Sequence, residues 1–397
     1  MSGIITANES DAVAMPASGK QRPPGLSGAT GADIGSGRSL EAQSPGCDSH
    51  GAPISAAQFV ATIRAHEDYV LRCRGGQRAD LRLTKFPGVN LRKRRLDSIN
   101  FSGANLQGAN FAGASLDLAS LSCADLTRAN LAEASLKRAD LRGARVQGAS
   151  FEFADMDGAD FRQATIVVTG NDKWTIVGQD KDKSTIVSFA NCSLKGAKLQ
   201  NANLKDANFD GALLNGASFA GTTLGNASFE GAVLIGVKIA ELRLPPSRLK
   251  NCITDPGPQQ QSRLPQLMQI LETAQRWAES GGRHGAAANL EGEDIRLLAP
   301  VMKNRKLTGI KCTKTLAVNA DFTGCELQAA NFDGADLRGA LFIGADLRGA
   351  SFQGANLAHA IFRQANLLPL QLKSGVTLST KFDGATLDGA NFEEVLR

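Results

Sequence analysis

A large apolar residue recurs at every fifth position of this chain. From Phe101 to Ile166 each fifth residue is Leu, Phe, Val, Met or Ile, and an Ala lies two residues before it in every unit except the first, where Ile99 takes that place. A period of five fits neither an α-helix, with 3.6 residues per turn, nor a β-strand, with a period of two. It fits a chain that turns a corner after every five residues, so that four units close a square coil of twenty.

The pattern within each unit predicts which side chains face inward. The large residue and the Ala two positions before it point to the same side, as alternate residues of a strand do. The three remaining positions hold Asn, Asp, Ser, Arg, Gln and Gly, which are typical of turns and wet surfaces. Residues twenty apart should then stack in one column, as Phe189, Phe209 and Phe229 would. Successive coils should pair through parallel backbone ladders, about 4.8 Å apart.

These units resemble the repeats of the pentapeptide-repeat family, whose pattern is A(D/N)LXX. The tandem units 335–339 and 345–349, both Ala-Asp-Leu-Arg-Gly, are close to that pattern. The resemblance implies an all-β solenoid, a right-handed quadrilateral parallel β-helix. Three repeat blocks, an N-terminal capping helix and a helical insert are expected, because the five-residue period is interrupted in several places.

The interruptions divide the chain into seven predicted segments. Residues 1–52 are rich in Ser, Gly, Ala and Pro without apolar periodicity, and they are predicted to be disordered. The other segments follow in order: an N-terminal helix and cap at 53–80, repeat block 1 at 81–166, a β-rich excursion at 167–188, repeat block 2 at 189–244, a helical insert at 245–319 and repeat block 3 at 320–397.

Three helices are predicted outside the repeats, the shortest of them from Glu293 to Lys303 and interrupted by Pro300. Ser55 followed by Gln58 is a capping-box signature, and it predicts a helix over 55–74 that covers the open edge of the first coil. Apolar residues at helical spacing predict a second helix over 264–280, with Pro265 at its start. We expect the insert to have mainly a structural role, as a cap on repeat block 2 or a hinge between repeat blocks. A docking surface is its expected second role.

Composition and charge favour a reduced, intracellular protein. The seven Cys are odd in number and lack the spacing of a disulfide framework. No stretch approaches eighteen apolar residues, so no membrane span is expected, and the N-terminus lacks a Sec-type signal. The polar, Ser-rich start resembles the export segment of bacterial type III effectors. We therefore expect a bacterial cytoplasmic protein, with secretion into a host cell by a type III system as one hypothesis and a plain flexible tail as the other.

Two groups of residues are candidates for an interaction surface. The basic run Arg92-Lys93-Arg94-Arg95 could bind nucleic acid, acidic lipid or an acidic protein, although a solvated corner of the first coil explains it more simply. Trp174 and Trp277 could each anchor a partner, and packing against the solenoid is the alternative for Trp174, within its excursion.

The sequence gives little support for catalysis. The four His are far apart, and none belongs to an HExxH or Cys-x-x-Cys motif. Cys252, Asp255 and His284 could be imagined as a nucleophile group, but nothing in their spacing fixes a geometry. No phosphate loop of the GxxxxGK[ST] form occurs. We therefore predict no enzyme activity, no catalytic residues, no cofactor and no metal site.

The favoured function is a non-enzymatic scaffold that mediates protein–protein interaction. Its protein partner is unknown, a homodimer through the solenoid ends is one expectation, and we expect no nucleic-acid partner. The alternative comes from the family resemblance, because some pentapeptide proteins mimic B-DNA and modulate type II topoisomerases. That function needs a strongly acidic face, whereas the repeat blocks here are weakly acidic and the whole chain carries a net charge of +5.

Overall fold

The computed structural model describes residues 46–47, 53–164 and 186–397. The segment predicted to be disordered lies almost wholly outside them, as does most of the predicted excursion with Trp174. Four α-helices, four short strands and two 3-10 helices (Pro246–Leu249 and Arg296–Leu298) accompany the repeats within the described residues. The α-helices and strands are β1 (Gly46–Cys47), β2 (Pro53–Ile54), α1 (Ala56–Val70), α2 (Ile239–Leu242), α3 (Pro258–Glu279), α4 (Ala299–Met302), β3 (Leu370–Gln371) and β4 (Thr377–Leu378).

The repeats form a four-sided β-helix with twenty residues in each regular coil. Parallel bridges join each outward residue to the one twenty positions later, as in the series Asn100, Ser120, Asp140 and Asp160. Each corner is a tight turn, in which the Ala104 amide donates to the Phe101 carbonyl at 3.0 Å. Gly103, with φ +66°, takes the left-handed conformation that this turn requires.

The inward column of aromatic rings fills the core at the spacing of the backbone ladder. The rings of Phe189 and Phe209 are stacked with centroids 4.9 Å apart, and those of Phe342 and Phe362 are stacked at 4.9 Å. This distance equals the separation of neighbouring strands, about 4.7–4.9 Å. Where Phe occupies the same column in successive coils, ring stacking and backbone pairing therefore occur together.

The three predicted blocks form two rods. Blocks 1 and 2 share one hydrophobic core and form the first rod, residues 79–255. Its ladder passes directly from Ser150 to Ser188, a step of 38 residues, so the excursion adds eighteen residues at a corner without breaking the stack. The second rod, residues 288–397, has its own core and begins earlier than the predicted boundary at 320, because Asn289 already pairs with Lys311.

A hairpin interrupts the second rod near its end. β3 and β4 pair antiparallel, and the ladder steps thirty residues from Ser351 to Lys381. Leu372 follows the five-residue period in sequence, but it belongs to the turn of this hairpin and is exposed. The apolar residue at the expected position is therefore not a core residue here.

A helix lies across the first coil of each rod. The cap of α1 has the reciprocal hydrogen bonds of a capping box between Ser55 and Gln58. The Phe59 ring of α1 lies 4.1 Å from that of Phe86, and Nδ1 of His66 accepts from the Ala79 amide at 3.1 Å. These contacts cover backbone groups that the first coil would otherwise expose.

The helix α3 covers the second rod in the same way. Leu267, Leu271 and Ala274 are buried in the second core. The helix starts at Pro258, earlier than the predicted start near Pro265, since a proline at the first helical position has no amide that needs a partner. The insert is therefore partly the cap and partly the first coils of the second rod.

Candidate interaction surface between the two rods

The two rods lie side by side and run in opposite directions. Contacts begin near the turn between them, where Arg296 donates to the Thr254 carbonyl at 2.6 Å. They continue through Arg338 on Gly231 and end at His359 on Asn191. As the second rod advances, its partner residues in the first rod therefore have progressively lower numbers.

An apolar strip joins the rods midway. Leu213 and Val233 occupy outward positions of the first rod, yet both are fully buried against Val318 of the second. Ile253 and Leu316 pack at the edges of this cluster. Most other outward positions of this kind in the repeats hold polar or charged residues, chiefly Asn, Asp and Ser. The strip is the hydrophobic part of the interface.

Arg338 binds the backbone of the first rod. Its guanidinium pairs with Asp336 at 2.7 Å and donates to the carbonyls of Gly231, at 2.7 Å, and Gly211, at 3.3 Å. Its side chain is 8% exposed, so the charge is almost removed from water. Hydrogen bonds from a charged donor to these corner carbonyls compensate for that desolvation.

Of these contacts between the rods, the one made by His359 lies farthest from the turn that connects them. Its Nε2 lies 2.7 Å from the carbonyl oxygen of Asn191, to which it donates. Burial lowers the pKa of His359, and the field of Lys195 acts in the same direction while Asp155 and Asp157 oppose it. The neutral imidazole is therefore the form that the interface accommodates.

A cavity of about 420 Å³ lies between the two rods. Lys137, Asp155 and Lys195 of the first rod line it, together with His359 and Glu393 of the second. Lys137 pairs with Asp155 at 2.9 Å. Burial lowers the pKa of Lys195, whose amide is held by Asp157 at 3.0 Å. We call this site, with Glu133 at its rim, the inter-rod cleft.

The structure separates the four members of the basic run. Arg92, Lys93 and Arg95 are exposed at the first coil. Arg94 instead occupies the inward slot that Ala fills in later coils, and its Nε lies 3.3 Å from Oε1 of Glu67 in α1. Arg94 thus helps to fix the cap, whereas its three neighbours face solvent.

Trp277 lies on α3 and is half-buried. A Cβ added to Gly282 would lie 3.6 Å from Nε1 of Trp277, and one added to Gly285 would lie 3.3 Å from its Cβ. The indole therefore packs against the turn that follows its own helix. Neither Trp277 nor the basic run contributes to the inter-rod cleft.

The imagined nucleophile group is not assembled for catalysis. The Cys252 thiol donates to the Phe229 carbonyl at 3.0 Å, and burial raises its pKa to about 11. Asp255 accepts from the Gly236 amide at 3.0 Å, and the His284 amide binds Ser280. Within the described ranges no group of three or more His, Cys, Asp or Glu could hold a metal ion. No helix there is long and apolar enough to cross a bilayer.

Sequence reasoning missed the pairing of the rods. The available signal was the apolar character of a few outward positions, notably Leu213, Val233 and Ile253, which lie twenty apart in one column. Arg338 and His359 gave no sequence signal of an interface, because Arg and His are common at solvent-exposed corners.

Comparison with known proteins identifies the repeats. The family model described as Pentapeptide repeats matches in eight copies, with matched residues 95–131, 124–163, 188–220, 212–251, 306–342 and 330–367. Proteins of this kind fold as right-handed quadrilateral β-helices, which is the four-sided coil seen here. No curated protein matches the chain significantly.

Solved structures of similar proteins include the following three. HetL of the cyanobacterium Nostoc sp. strain PCC 7120, involved in heterocyst differentiation regulation, is 20% identical over 82% of this chain and 92% of its own, with a TM-score of 0.26. QnrB1, a plasmid-mediated fluoroquinolone resistance protein, is 19% identical over 47% and 89%, with a TM-score of 0.21. Rfr23 of the cyanobacterium Cyanothece 51142 is 20% identical over 44% and 91%, with a TM-score of 0.19. No function follows from likenesses at this level.

The change Arg338→Ala should weaken the pairing of the rods. It removes two charged hydrogen bonds to the first rod, and we expect a loss of about 1.5–3 kcal/mol in the free energy of unfolding. Arg348→Ala is the matched control, because Arg348 belongs to the same pentapeptide sequence and pairs with Asp346 at 2.7 Å, but it is 37% exposed. It should cost at most about 1 kcal/mol. Urea unfolding measures both, and equal losses would contradict a role of Arg338 in pairing.

Acid should weaken the same interface through His359. Because the folded protein holds the pKa of His359 below its usual value of about 6.5, the unfolded chain takes up the proton first as the pH falls. This contribution to stability is complete above about pH 6.5 and is lost as the pH falls toward the folded pKa. Urea unfolding at about pH 7.5 and about pH 5.5 should show a smaller acid-induced loss for His359→Gln than for the wild type.

Small-angle scattering at the same two pH values separates rod pairing from overall stability, with His66 as the comparison. Burial also lowers its pKa, but it lies under α1 at the far end of the first rod. His66→Gln should therefore leave the acid dependence of rod pairing, followed by small-angle scattering, unchanged. If His359→Gln leaves it unchanged as well, the interface is not sensitive to this histidine.

Proposed function

Because the chain belongs to the pentapeptide-repeat family, we propose that it is a non-enzymatic scaffold that binds a protein partner at the inter-rod cleft. The observation that carries this proposal is the cleft itself, a cavity of about 420 Å³ to which both rods contribute charged side chains. A volume of this size accommodates a few protruding side chains of a partner. Its walls are held by the pairing of two stiff rods, so the site is pre-organised.

The charges that line the cleft favour a polar rather than an apolar contact. Glu133 and Glu393 are exposed at its rim, one on each rod; Lys137 is also exposed, while Lys195 is half-buried. A partner segment that presents both charge signs would complement this arrangement. Such complementarity determines specificity and association rate more than it determines total affinity.

Charge reversal at the rim tests the proposal. The double change Glu133→Lys and Glu393→Lys alters both walls without touching the core, and it should reduce capture of the partner at least about tenfold, equivalent to about 1.4 kcal/mol. Glu272→Lys with Glu291→Lys is the matched control, because both residues are exposed and lie outside the cleft. The measurement is affinity capture from lysate, followed by titration of the protein that is retained.

The outcome distinguishes the cleft from other surfaces. A protein retained by the wild type and the control, but not by the rim variant, would support the proposal. If all three retain the same proteins, or none retains any, the cleft is not the binding site.

The finer proposal is that this scaffold is a bacterial effector exported by a type III system. Its support is the composition of residues 1–52, which are polar and rich in Ser, Gly, Ala and Pro. A translocation reporter fused to residues 1–60 should be exported by secretion-competent bacteria and retained by secretion-null bacteria. Retention in both strains would place the function inside the bacterium.

Association through the rod ends is a further proposal for the partner. Phe382 and Phe392 of the last coil of the second rod are only partly buried, whereas Phe352 and Phe362 before them are fully buried. A second copy stacked on this coil would bury those rings. Light scattering over a range of concentrations should then detect a dimer that Phe392→Glu abolishes.

Mimicry of DNA remains the alternative, and the structure offers no observation that favours it. Two rods side by side are wider than a single one, and the net charge is +5. Inhibition or protection of DNA gyrase at a micromolar concentration of this protein would support DNA mimicry.

A further inference from the structure

The N-terminal end of the first rod concentrates the positive charge of the protein. Residues 53–100 contain ten Lys or Arg and four Asp or Glu, a net charge of +6, whereas the whole chain carries +5. The remainder is therefore close to neutral. A charge separation of this size creates a local positive field that attracts anionic partners over about a Debye length.

Most of these cations are not used within the fold. Arg82 pairs with Asp80, Arg94 pairs with Glu67, and Nε of Arg78 donates to the Ser98 carbonyl. In the part of the chain that the structure describes, six further exposed cations have no carboxylate within 4.0 Å. They are Arg72, Arg74, Lys85, Arg92, Lys93 and Arg95. We call these six residues the basic end.

The basic end surrounds the tip of the rod and does not form a stripe along one side. Lys85 and Arg95 occupy equivalent positions ten residues apart, which lie on opposite sides of a coil of twenty. Arg72 and Arg74 lie in the turn that follows α1. The helix lies across the tip, and its exposed face includes the uncharged residues Ala57 and Ala61. A broad surface that meets the rod end-on would contact all of these groups together.

Exposed apolar side chains lie among the cations. Leu83 is 61% exposed, more than any other large apolar side chain described, and it is adjacent in sequence to Arg82. Leu71 and Tyr69 are 47% and 43% exposed beside Arg72. A nucleic-acid backbone offers little to an exposed leucine, whereas the headgroup region of a bilayer accepts aliphatic and Tyr side chains next to Lys and Arg.

From these observations we propose that the basic end docks the protein, end-on, on the surface of a membrane rich in anionic phospholipids. The cations bind lipid phosphates and carboxylates, and their contributions add with each Lys or Arg near the surface. Leu71, Leu83 and Tyr69 enter the headgroup layer and add a hydrophobic term. The first rod then projects from the membrane.

Vesicle flotation with the full chain tests this docking. The probes are phosphatidylcholine vesicles and vesicles that contain about 30% phosphatidylserine, at about 0.15 M and about 0.5 M NaCl. The protein should float with the anionic vesicles at the lower salt. Its binding should be at least about tenfold weaker with neutral vesicles or at the higher salt.

Two variants separate the basic end from net charge. The fourfold change Arg72→Glu, Arg74→Glu, Arg92→Glu and Lys93→Glu should abolish flotation. The matched control reverses four exposed cations of the second rod, Lys311→Glu, Lys314→Glu, Lys373→Glu and Lys381→Glu, and should retain binding within about twofold. Circular dichroism confirms that the β signal survives in both.

A third variant tests insertion, and three results would overturn the proposal. Leu71→Ser with Leu83→Ser should weaken flotation several-fold while its salt dependence remains. Absence of flotation with anionic vesicles, equal loss in the control variant, or stronger binding of the wild type to a duplex DNA than to the anionic vesicles would each exclude membrane docking. Partner capture at the cleft is measured separately, so failure here leaves the proposed scaffold function unaffected.

Discussion

The spacing of the backbone ladder determines the rest of the molecule. Coils that pair through parallel hydrogen bonds can be only about 4.8 Å apart, so every inward side chain must stack on its equivalent at that distance. Flat phenylalanine rings meet this requirement, as the centroid distances of 4.9 Å between Phe189, Phe209 and Phe229 show. Ala on the same wall leaves room for the rings. The five-residue period in the sequence is the direct result.

That constraint explains why the fold of each rod could be predicted and the pairing of the rods could not. Inward positions are subject to the same packing at every coil, so their pattern appears in the sequence. Outward positions differ from coil to coil. Arg338 and Arg348 belong to identical pentapeptides, yet one is buried against the backbone of the first rod and the other is 37% exposed. Only the path of the turn between the rods decides which arginine is covered.

The interruptions of the period were visible in the sequence, but their effect was not. A break in the repeats shows that residues leave the coil, whereas the structure shows where the ladder resumes. Ser150 pairs with Ser188 and Ser351 with Lys381, so two breaks are insertions within a rod. The break at 245–319 instead ends one rod and begins another. Local sequence does not distinguish these outcomes, since each begins with the loss of the five-residue apolar period.

The insertions at the corners also make the rod a suitable scaffold for new loops. The coil before residue 165 and the coil after residue 185 pair with the same geometry as uninterrupted coils, and the hairpin at 370–378 leaves its neighbours equally undisturbed. Loop closure adds little free-energy cost as a loop grows longer. Evolution could therefore insert recognition segments of almost any length at these corners. Such insertions would change what the protein binds while the stacked coils stay the same.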